Sequence, residues 1–187
     1  MSSPDRVSVL RQHGVTLVEL IIFIVVVSAS VVGVLSVMNV STQRSADPMI
    51  RKQALDIAES LMEEVFLQSF TYCDPDDEKV SDAANAGECL VAEAMGPEVG
   101  ESRYSATTPF DNVNDYAGFV MNGIVDLTGT AIPALAGYNA VVAIAEAGTD
   151  YGLAAPEALR ITVTVTSGNV SIPVTAVRFR HSPNFAP

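Results

Sequence analysis

Residues 14–40 of the chain read GVTLVELIIFIVVVSASVVGVLSVMNV, a stretch that is almost entirely apolar. From Leu17 to Met38 it contains 22 residues, among which Glu19 is the only ionisable one. At about 1.5 Å per residue, a helix of this length crosses the roughly 30 Å hydrocarbon layer of a bilayer. The stretch therefore predicts a membrane-spanning helix near the start of the chain.

A short polar segment precedes the apolar run. Residues 1–14 carry Arg6, Arg11 and His13 against Asp5. An ordinary secretory signal would have a shorter apolar region followed by an A-x-A-like cleavage site, and neither feature is present. We therefore expect the apolar run to stay in the mature protein.

Glu19 carries the charge that an apolar helix has to accommodate. Even on the lenient insertion scale, a carboxylate inside a membrane helix costs about 2.5–3.5 kcal/mol. One interpretation places Glu19 shallow enough to reach headgroup water, and the other gives it a group that neutralises it. The apolar run alone does not choose between them.

A family resemblance rests on three coinciding elements: the short basic leader, the string GVTLVE at residues 14–19, and the apolar helix that this string opens. Together they resemble the class III signal of type IV prepilins and type II secretion pseudopilins. The resemblance implies that a prepilin peptidase cuts after Gly14 and N-methylates Val15. It also makes Glu19 the family's glutamate at the fifth mature position. The family usually has phenylalanine where this chain has Val15.

The resemblance implies a partner for Glu19. Cleavage creates a cationic amine at Val15, and the amine of one subunit can pair with the Glu19 carboxylate of another at low dielectric. The implied partners are other pilin subunits bundled through their N-terminal helices, the prepilin peptidase and the inner-membrane assembly platform. Ala29 and Gly33 have the small-xxx-small spacing that lets helices approach closely.

The implied location is the bacterial inner membrane, with a single pass and the C-terminal domain in the periplasm. From there the subunit would enter a pilus or pseudopilus filament.

In a periplasmic domain, the isolated pair Cys73 and Cys89 is interpreted most simply as a disulfide. Closing a loop of this size contributes about 3 kcal/mol in the chain-entropy model.

Beyond residue 40 the sequence predicts an amphipathic helix. The string SADP at residues 45–48 is typical of a helix start, with Asp47 as N-cap and Pro48 at the first helical position. The long helix is therefore expected to be either kinked or restarted here. An apolar stripe follows, and a polar face lies opposite it. The stripe is formed by Ile50, Ala54, Ile57, Ala58, Leu61 and Val65, and the polar face by Lys52, Asp56, Glu59 and Glu63. We expect this helix to end near residues 69–72.

Five candidate strands follow: Arg103–Thr108, Phe119–Leu127, Tyr138–Glu146, Leu159–Thr166 and Val170–Arg180. The last two predict a β-hairpin, because isoleucine and valine alternate with threonine on either side of the turn residues 167–169. Pro173 cannot donate a ladder hydrogen bond, so its strand is expected at a sheet edge or at a bulge.

The predicted fold class is α+β, with a long N-terminal spine helix, half transmembrane and half amphipathic, packed on a small antiparallel β-sheet head domain. The predicted segments run in this order: leader peptide 1–14, transmembrane and assembly helix 15–47, amphipathic spine helix 48–72, disulfide-stapled acidic loop 73–102 and β head domain 103–187.

Catalytic and cofactor chemistry are not expected. The sequence has no nucleophile elbow, phosphate loop, dinucleotide fingerprint or histidine-rich metal motif, and its histidines are His13 in the leader and His181 in the tail. The acidic strings 74–78 and 111–115 offer oxygen ligands of the kind calcium takes, but neither matches an EF-hand. Aspartate and asparagine are also common turn residues. We therefore predict no enzyme, no cofactor and no metal.

The net charge of −12 argues against nucleic acid as a partner.

A second, local resemblance lies in FTYCDPDD at residues 70–77 and PFDNVNDY at residues 109–116. These strings look like the minor pilin D type of the mannose-sensitive haemagglutinin (MSHA) pilus system. The resemblance implies a minor pilin that serves filament assembly or initiation. The alternatives are a minor pseudopilin of a type II secretion system and, in a different class, a membrane-anchored periplasmic binding protein or enzyme.

Overall fold

The computed structural model describes residues 16–185, with side chains for residues 16–38 and 48–185. Its regular elements are one helix, α1 (Leu17–Leu67), and four strands, β1 (Val120–Asn122), β2 (Asn139–Glu146), β3 (Ala158–Ser167) and β4 (Val170–Phe179). Short 3₁₀ turns lie between them. An apolar N-terminal helix followed by a four-stranded antiparallel sheet confirms the α+β class.

The chain divides into two compact units between Ala46 and Asp47. The described part of the first unit is the start of α1, and the second unit contains the rest of α1 and the whole sheet. Of the two alternatives predicted at Asp47 and Pro48, a kink or a restart of the helix, the restart is wrong, because α1 runs through both residues. A proline removes only one intrahelical hydrogen bond, so a helix can continue past it at a cost.

In the first unit, the described residues include one segment long and apolar enough to cross a membrane, Leu17–Met38. Every side chain in this segment is exposed. A helix that is apolar on all sides needs an apolar environment around it. Such an environment also explains why a valine-rich sequence is helical, since an α-helix satisfies its backbone polar groups within the segment.

The sheet has the order β1-β2-β3-β4, and every neighbouring pair is antiparallel. The bounds predicted for the last three strands are confirmed to within one residue at each end. Ser167 pairs with Val170 across a two-residue turn. Gly168 opens this turn with φ 55°, a backbone angle that glycine adopts without a steric penalty.

Pro173 lies on β4, which is an outer strand of the sheet, as predicted. The residues that flank a two-residue turn form a hydrogen-bonded pair, and bonded and non-bonded pairs alternate from there. The pair of Pro173 with Thr164 is therefore a non-bonded one. The nitrogen of Pro173 faces away from β3, so the proline costs the β3–β4 ladder nothing.

Two strand predictions fail in the segment 103–127. Residues 103–108 form turns, in which the Ser105 hydroxyl accepts hydrogen bonds from the backbone N–H groups of Thr107 and Thr108 at 3.3 and 3.1 Å. Such local bonds compete with strand pairing. Of the predicted strand 119–127, only Val120–Asn122 is formed, because Gly123 follows with φ 80° and turns the chain.

One hydrophobic cluster joins the second part of α1 to the sheet. The predicted stripe is buried or half-buried, and the predicted polar face is exposed. Its buried members include Ala54, Ala58, Leu61 and Val65 from α1, Ala140 and Val142 from β2, and Ile161, Val163 and Val165 from β3. The helix ends at Leu67, earlier than predicted, because the backbone of Ser69 bonds instead to Asp111 and Val113 at 3.3 and 2.9 Å.

A buried ion pair ties α1 to the chain that follows the acidic loop. The Arg103 guanidinium donates to both carboxylate oxygens of Glu64, from Nε at 2.6 Å and from Nη2 at 2.7 Å. The two side chains are 6% and 18% exposed. The Tyr116 hydroxyl donates to Glu64 Oε1 at 2.8 Å, and Arg103 Nη1 donates to the Asp126 carbonyl at 3.3 Å. Burial, together with the nearby Glu64 carboxylate, raises the pKa of Tyr116.

Removal of the Glu64 carboxylate should destabilise the second unit strongly. Glu64→Ala leaves Arg103 buried without a counter-ion, so we expect a loss of about 3–5 kcal/mol in the free energy of unfolding. Urea unfolding of the full chain in detergent, followed by near-ultraviolet circular dichroism, measures it.

The matched control is Asp150→Ala. This change breaks the Arg160–Asp150 ion pair, whose side chains are 45% and 53% exposed, and should cost about 1 kcal/mol or less. Equal losses in the two variants would show that the buried pair does not hold α1 in place.

Candidate functional site

The start of α1 is built as a capped helix terminus. The Thr16 hydroxyl accepts a hydrogen bond from the Glu19 N–H at 3.3 Å, and the Thr16 carbonyl accepts one from Leu20 at 3.1 Å. Thr16 is thus the N-cap, and Glu19 is at the third helical position. The spacing Thr-x-x-Glu is that of a capping box. The sequence contains this signal within four successive residues.

Glu19 is exposed and lies in the first turn of α1. A carboxylate is favoured there because the first turn of a helix presents backbone N–H groups without intrahelical partners and the positive end of the helix dipole. The Glu19 carboxylate therefore lies where the helix dipole favours a negative charge, whatever its predicted role in docking. The predicted cleavage site, Gly14 and Val15, lies outside the described residues.

The small residues of the apolar segment leave room for another helix. A Cβ atom added at Gly33 would meet nothing within 4 Å, and Ala29 one turn earlier is exposed. The Ser30 hydroxyl donates to the Val26 carbonyl at 2.7 Å, so it does not need a partner from another chain. Any limit on side-chain size at Gly33 therefore has to come from a neighbouring molecule.

Cys73 and Cys89 form a disulfide, as predicted, with their Cα atoms 5.3 Å apart. The bond closes the first part of the loop that follows α1. Inside the loop, the buried Asp77 carboxylate accepts hydrogen bonds from the N–H groups of Lys79 and Val91, both at 2.7 Å. These bonds lower the pKa of Asp77, with Val91 making the larger contribution.

The C-terminal tail holds the same loop from outside. The Asn184 side-chain amide donates to the carbonyls of Val80 and Ala83 at 3.1 and 2.7 Å. Arg180 stacks over the rings of Phe70 and Tyr72, at 4.2 and 4.8 Å from their centroids. The acidic loop is therefore a fixed part of the second unit.

The two acidic strings singled out in the sequence meet in space. Asp74 and Asp76 from the first and Asp111 from the second each place a carboxylate oxygen within 4.8 Å of the others. Burial, and then the charges of Asp74 and Asp76, raise the pKa of Asp111 to about 6. His181 lies apart in the tail, with Nδ1 3.2 Å from the Phe179 carbonyl.

Comparisons of the chain with protein-family models, with curated proteins and with solved structures give no match. The functional argument therefore depends on the residues of this chain alone.

Loss of the disulfide should destabilise the second unit by about 3 kcal/mol, the value expected for a closed loop of this length. We expect the double substitution Cys73→Ser and Cys89→Ser to show this loss in urea unfolding of the full chain. Reductant should lower the stability of the wild type by a similar amount and leave the double variant unchanged. A wild type that is insensitive to reductant, with free thiols in peptide mapping, would contradict the pairing.

Proposed function

We propose that this chain is a minor pilin of a type IV, MSHA-like pilus: a non-catalytic subunit that serves filament assembly or initiation. It would enter the inner membrane by its N-terminal helix, lose its leader after Gly14 and join the filament with its head in the periplasm. The observation that carries the proposal is the start of α1, where a capped first turn presents Glu19 at the head of a fully exposed apolar helix.

The apolar segment supports the proposal of a subunit whose helix is surrounded first by lipid and later by the helices of other subunits. All side chains of Leu17–Met38 are exposed, so some other apolar phase has to cover them. Lipid can do so before assembly, and the helices of neighbouring subunits can do so afterwards. Gly33 and Ala29 favour close helix packing at that second stage. The second part of α1 would then serve as the spine on which the head is built.

The position of Glu19 supports a role for its carboxylate in docking one subunit onto another. After cleavage, the new amine at Val15 would be four residues before Glu19 in the sequence, and both charges would need neutralising in an apolar surrounding. Pairing between subunits satisfies both charges and fixes how far one helix slides along another. A membrane-anchored binding protein or enzyme needs neither a glycine-bounded leader nor this carboxylate.

The type II secretion pseudopilin is the nearest alternative, because it would use the same cleavage and docking chemistry. The site of incorporation separates the two. We expect the chain in sheared surface pili, and we expect its deletion to affect pilus formation without blocking secretion through a type II system. The opposite pattern would assign the chain to a pseudopilus.

Processing should produce a mature chain that begins at N-methyl-Val15. Intact-mass measurement and N-terminal peptide sequencing of the membrane-extracted protein check this. Replacement of Gly14 by a bulky residue should leave the leader attached. A mature protein that retains Met1, or one that is cut beyond Val40, would overturn the prepilin assignment.

The charge of Glu19 should matter for assembly and not for insertion. Glu19→Ala and Glu19→Gln should both be inserted and cleaved, since removing the one charge from the apolar run makes insertion easier. Both should enter filaments about tenfold less than wild type or worse, because a hydrogen bond to a charged group contributes about 1.5–3 kcal/mol. Quantifying the chain in membranes and in sheared filaments measures both steps. N-methylation is scored in parallel.

Two comparisons separate docking from capping. Glutamine can still complete a capping box, so Glu19→Gln removes the charge and keeps the cap. Thr16→Ala does the reverse and should enter filaments at close to the wild-type level. If Glu19→Gln assembles normally and Thr16→Ala does not, the carboxylate acts as a cap and the docking role is wrong.

A further inference from the structure

Three carboxylates from two separate segments of the head converge on one point. Glu93 and Glu98 come from the loop after the disulfide, and Asp115 comes from the 3₁₀ helix Val113–Tyr116. One carboxylate oxygen from each residue lies within 4.8 Å of the others. Backbone bonds hold the segments in this position, because Gly96 donates to the Asn114 carbonyl at 3.0 Å.

Gly96 itself makes the convergence possible. It has φ 102°, a backbone conformation that residues with a side chain rarely adopt. The loop can therefore turn between Glu93 and Glu98, so that carboxylate oxygens from both sides of the turn lie close to Asp115.

Several buried oxygens at this point accept no hydrogen bond within the part of the chain that the structure describes. They are Glu93 Oε1, Asn114 Oδ1 and Asp115 Oδ1. Asp115 is 1% exposed and Asn114 is 5% exposed. Asp115 uses its other oxygen, Oδ2, to accept from the N–H groups of Asp111 and Asn112 at 3.0 and 2.7 Å. A buried acceptor without a partner is costly, so these oxygens need a ligand of positive character.

In the part of the chain that the structure describes, no lysine or arginine forms an ion pair with Glu93, Glu98 or Asp115. Arg180 interacts with Glu93 electrostatically, but its guanidinium stacks on Phe70 and pairs with Glu157 at 3.6 Å. Glu98 also belongs to a second acidic group with Asp74 and Glu101.

We propose that Glu93, Glu98 and Asp115 form a calcium-binding site that links the disulfide-closed loop to the segment at residues 113–116. Oxygens that ligate one Ca²⁺ ion at about 2.4 Å are at most about 4.8 Å apart, and the three carboxylates here each place an oxygen within that limit. Calcium accepts several protein carboxylates in irregular geometry. Magnesium usually keeps several waters and binds only one or two carboxylates. The set of protein oxygens here therefore favours calcium.

This site was not predicted from the sequence. The strings singled out there, 74–78 and 111–115, contribute Asp115 alone, whereas Glu93 and Glu98 lie in a segment without an acidic run. The ion would cross-link two parts of the head that the disulfide does not join, since Cys73 and Cys89 both precede Glu93.

The test is calcium titration of the full chain in detergent after treatment with a chelator, by calorimetry and by thermal unfolding. CaCl₂ should bind at a single class of sites and raise the unfolding temperature, and MgCl₂ should do so more weakly. Asp115→Asn and Glu93→Gln should each weaken calcium binding at least about tenfold, because fewer ligand charges remain. The control Glu78→Gln changes an exposed acid outside the site and should bind calcium like the wild type.

A misfolded variant would be recognised by its stability in chelator. Without calcium, Asp115→Asn and Glu93→Gln should be as stable as the wild type or more so, because each removes a crowded carboxylate. Absence of calcium binding in the wild type would overturn the proposal. Unchanged binding in both variants would place the ion elsewhere, and tighter binding of magnesium would overturn the choice of metal.

Discussion

The hydrogen bonds that the Glu64 carboxylate accepts hold the second unit together. This carboxylate accepts hydrogen bonds from Arg103 and from the Tyr116 hydroxyl. One side chain of α1 therefore holds two segments that are distant from it in sequence. Tyr116 in turn packs edge-on against Phe110, with ring centroids 5.0 Å apart. A hydrophobic stripe alone would let α1 rotate or slide against the sheet, because apolar contacts are not directional. The fork of hydrogen bonds from Arg103 has a single geometry, which selects one position of the helix.

Much of this fold could be predicted, since its clearest elements have local periodicity. The alternation of Ile161, Val163 and Val165 with threonine identified β3, and the stripe through Ala54 and Leu61 identified the buried face of α1. The failures have non-local causes. Residues 103–108 have strand-like composition, but the Arg103 side chain pairs with Glu64, 39 residues away, and Ser105 bonds locally. Periodicity along one segment contains no information about such a distant partner.

The candidate sites also divide into features that local sequence predicts and features that depend on distant residues. The Thr16–Glu19 spacing is visible in the sequence, because a capping box is defined within four successive residues. The cysteines could be paired because the chain contains no others. The grouping of Glu93 with Asp115 could not be predicted, since it depends on the turn at Gly96 and on a backbone bond to Asn114. A site formed by single acidic residues on different segments can be recognised only in the three-dimensional structure, where the positions of the loops are known.

The free edges of the sheet determine how the heads can meet. At one edge β1 is three residues long, and at the other Pro173 replaces an outward-facing N–H on β4 with a ring that cannot donate. An unprotected edge is a template on which strands of other molecules can add, and short strands and prolines are two ways of blocking such growth. Heads of this kind can be crowded together, at high local concentration, without merging their sheets into a continuous ribbon.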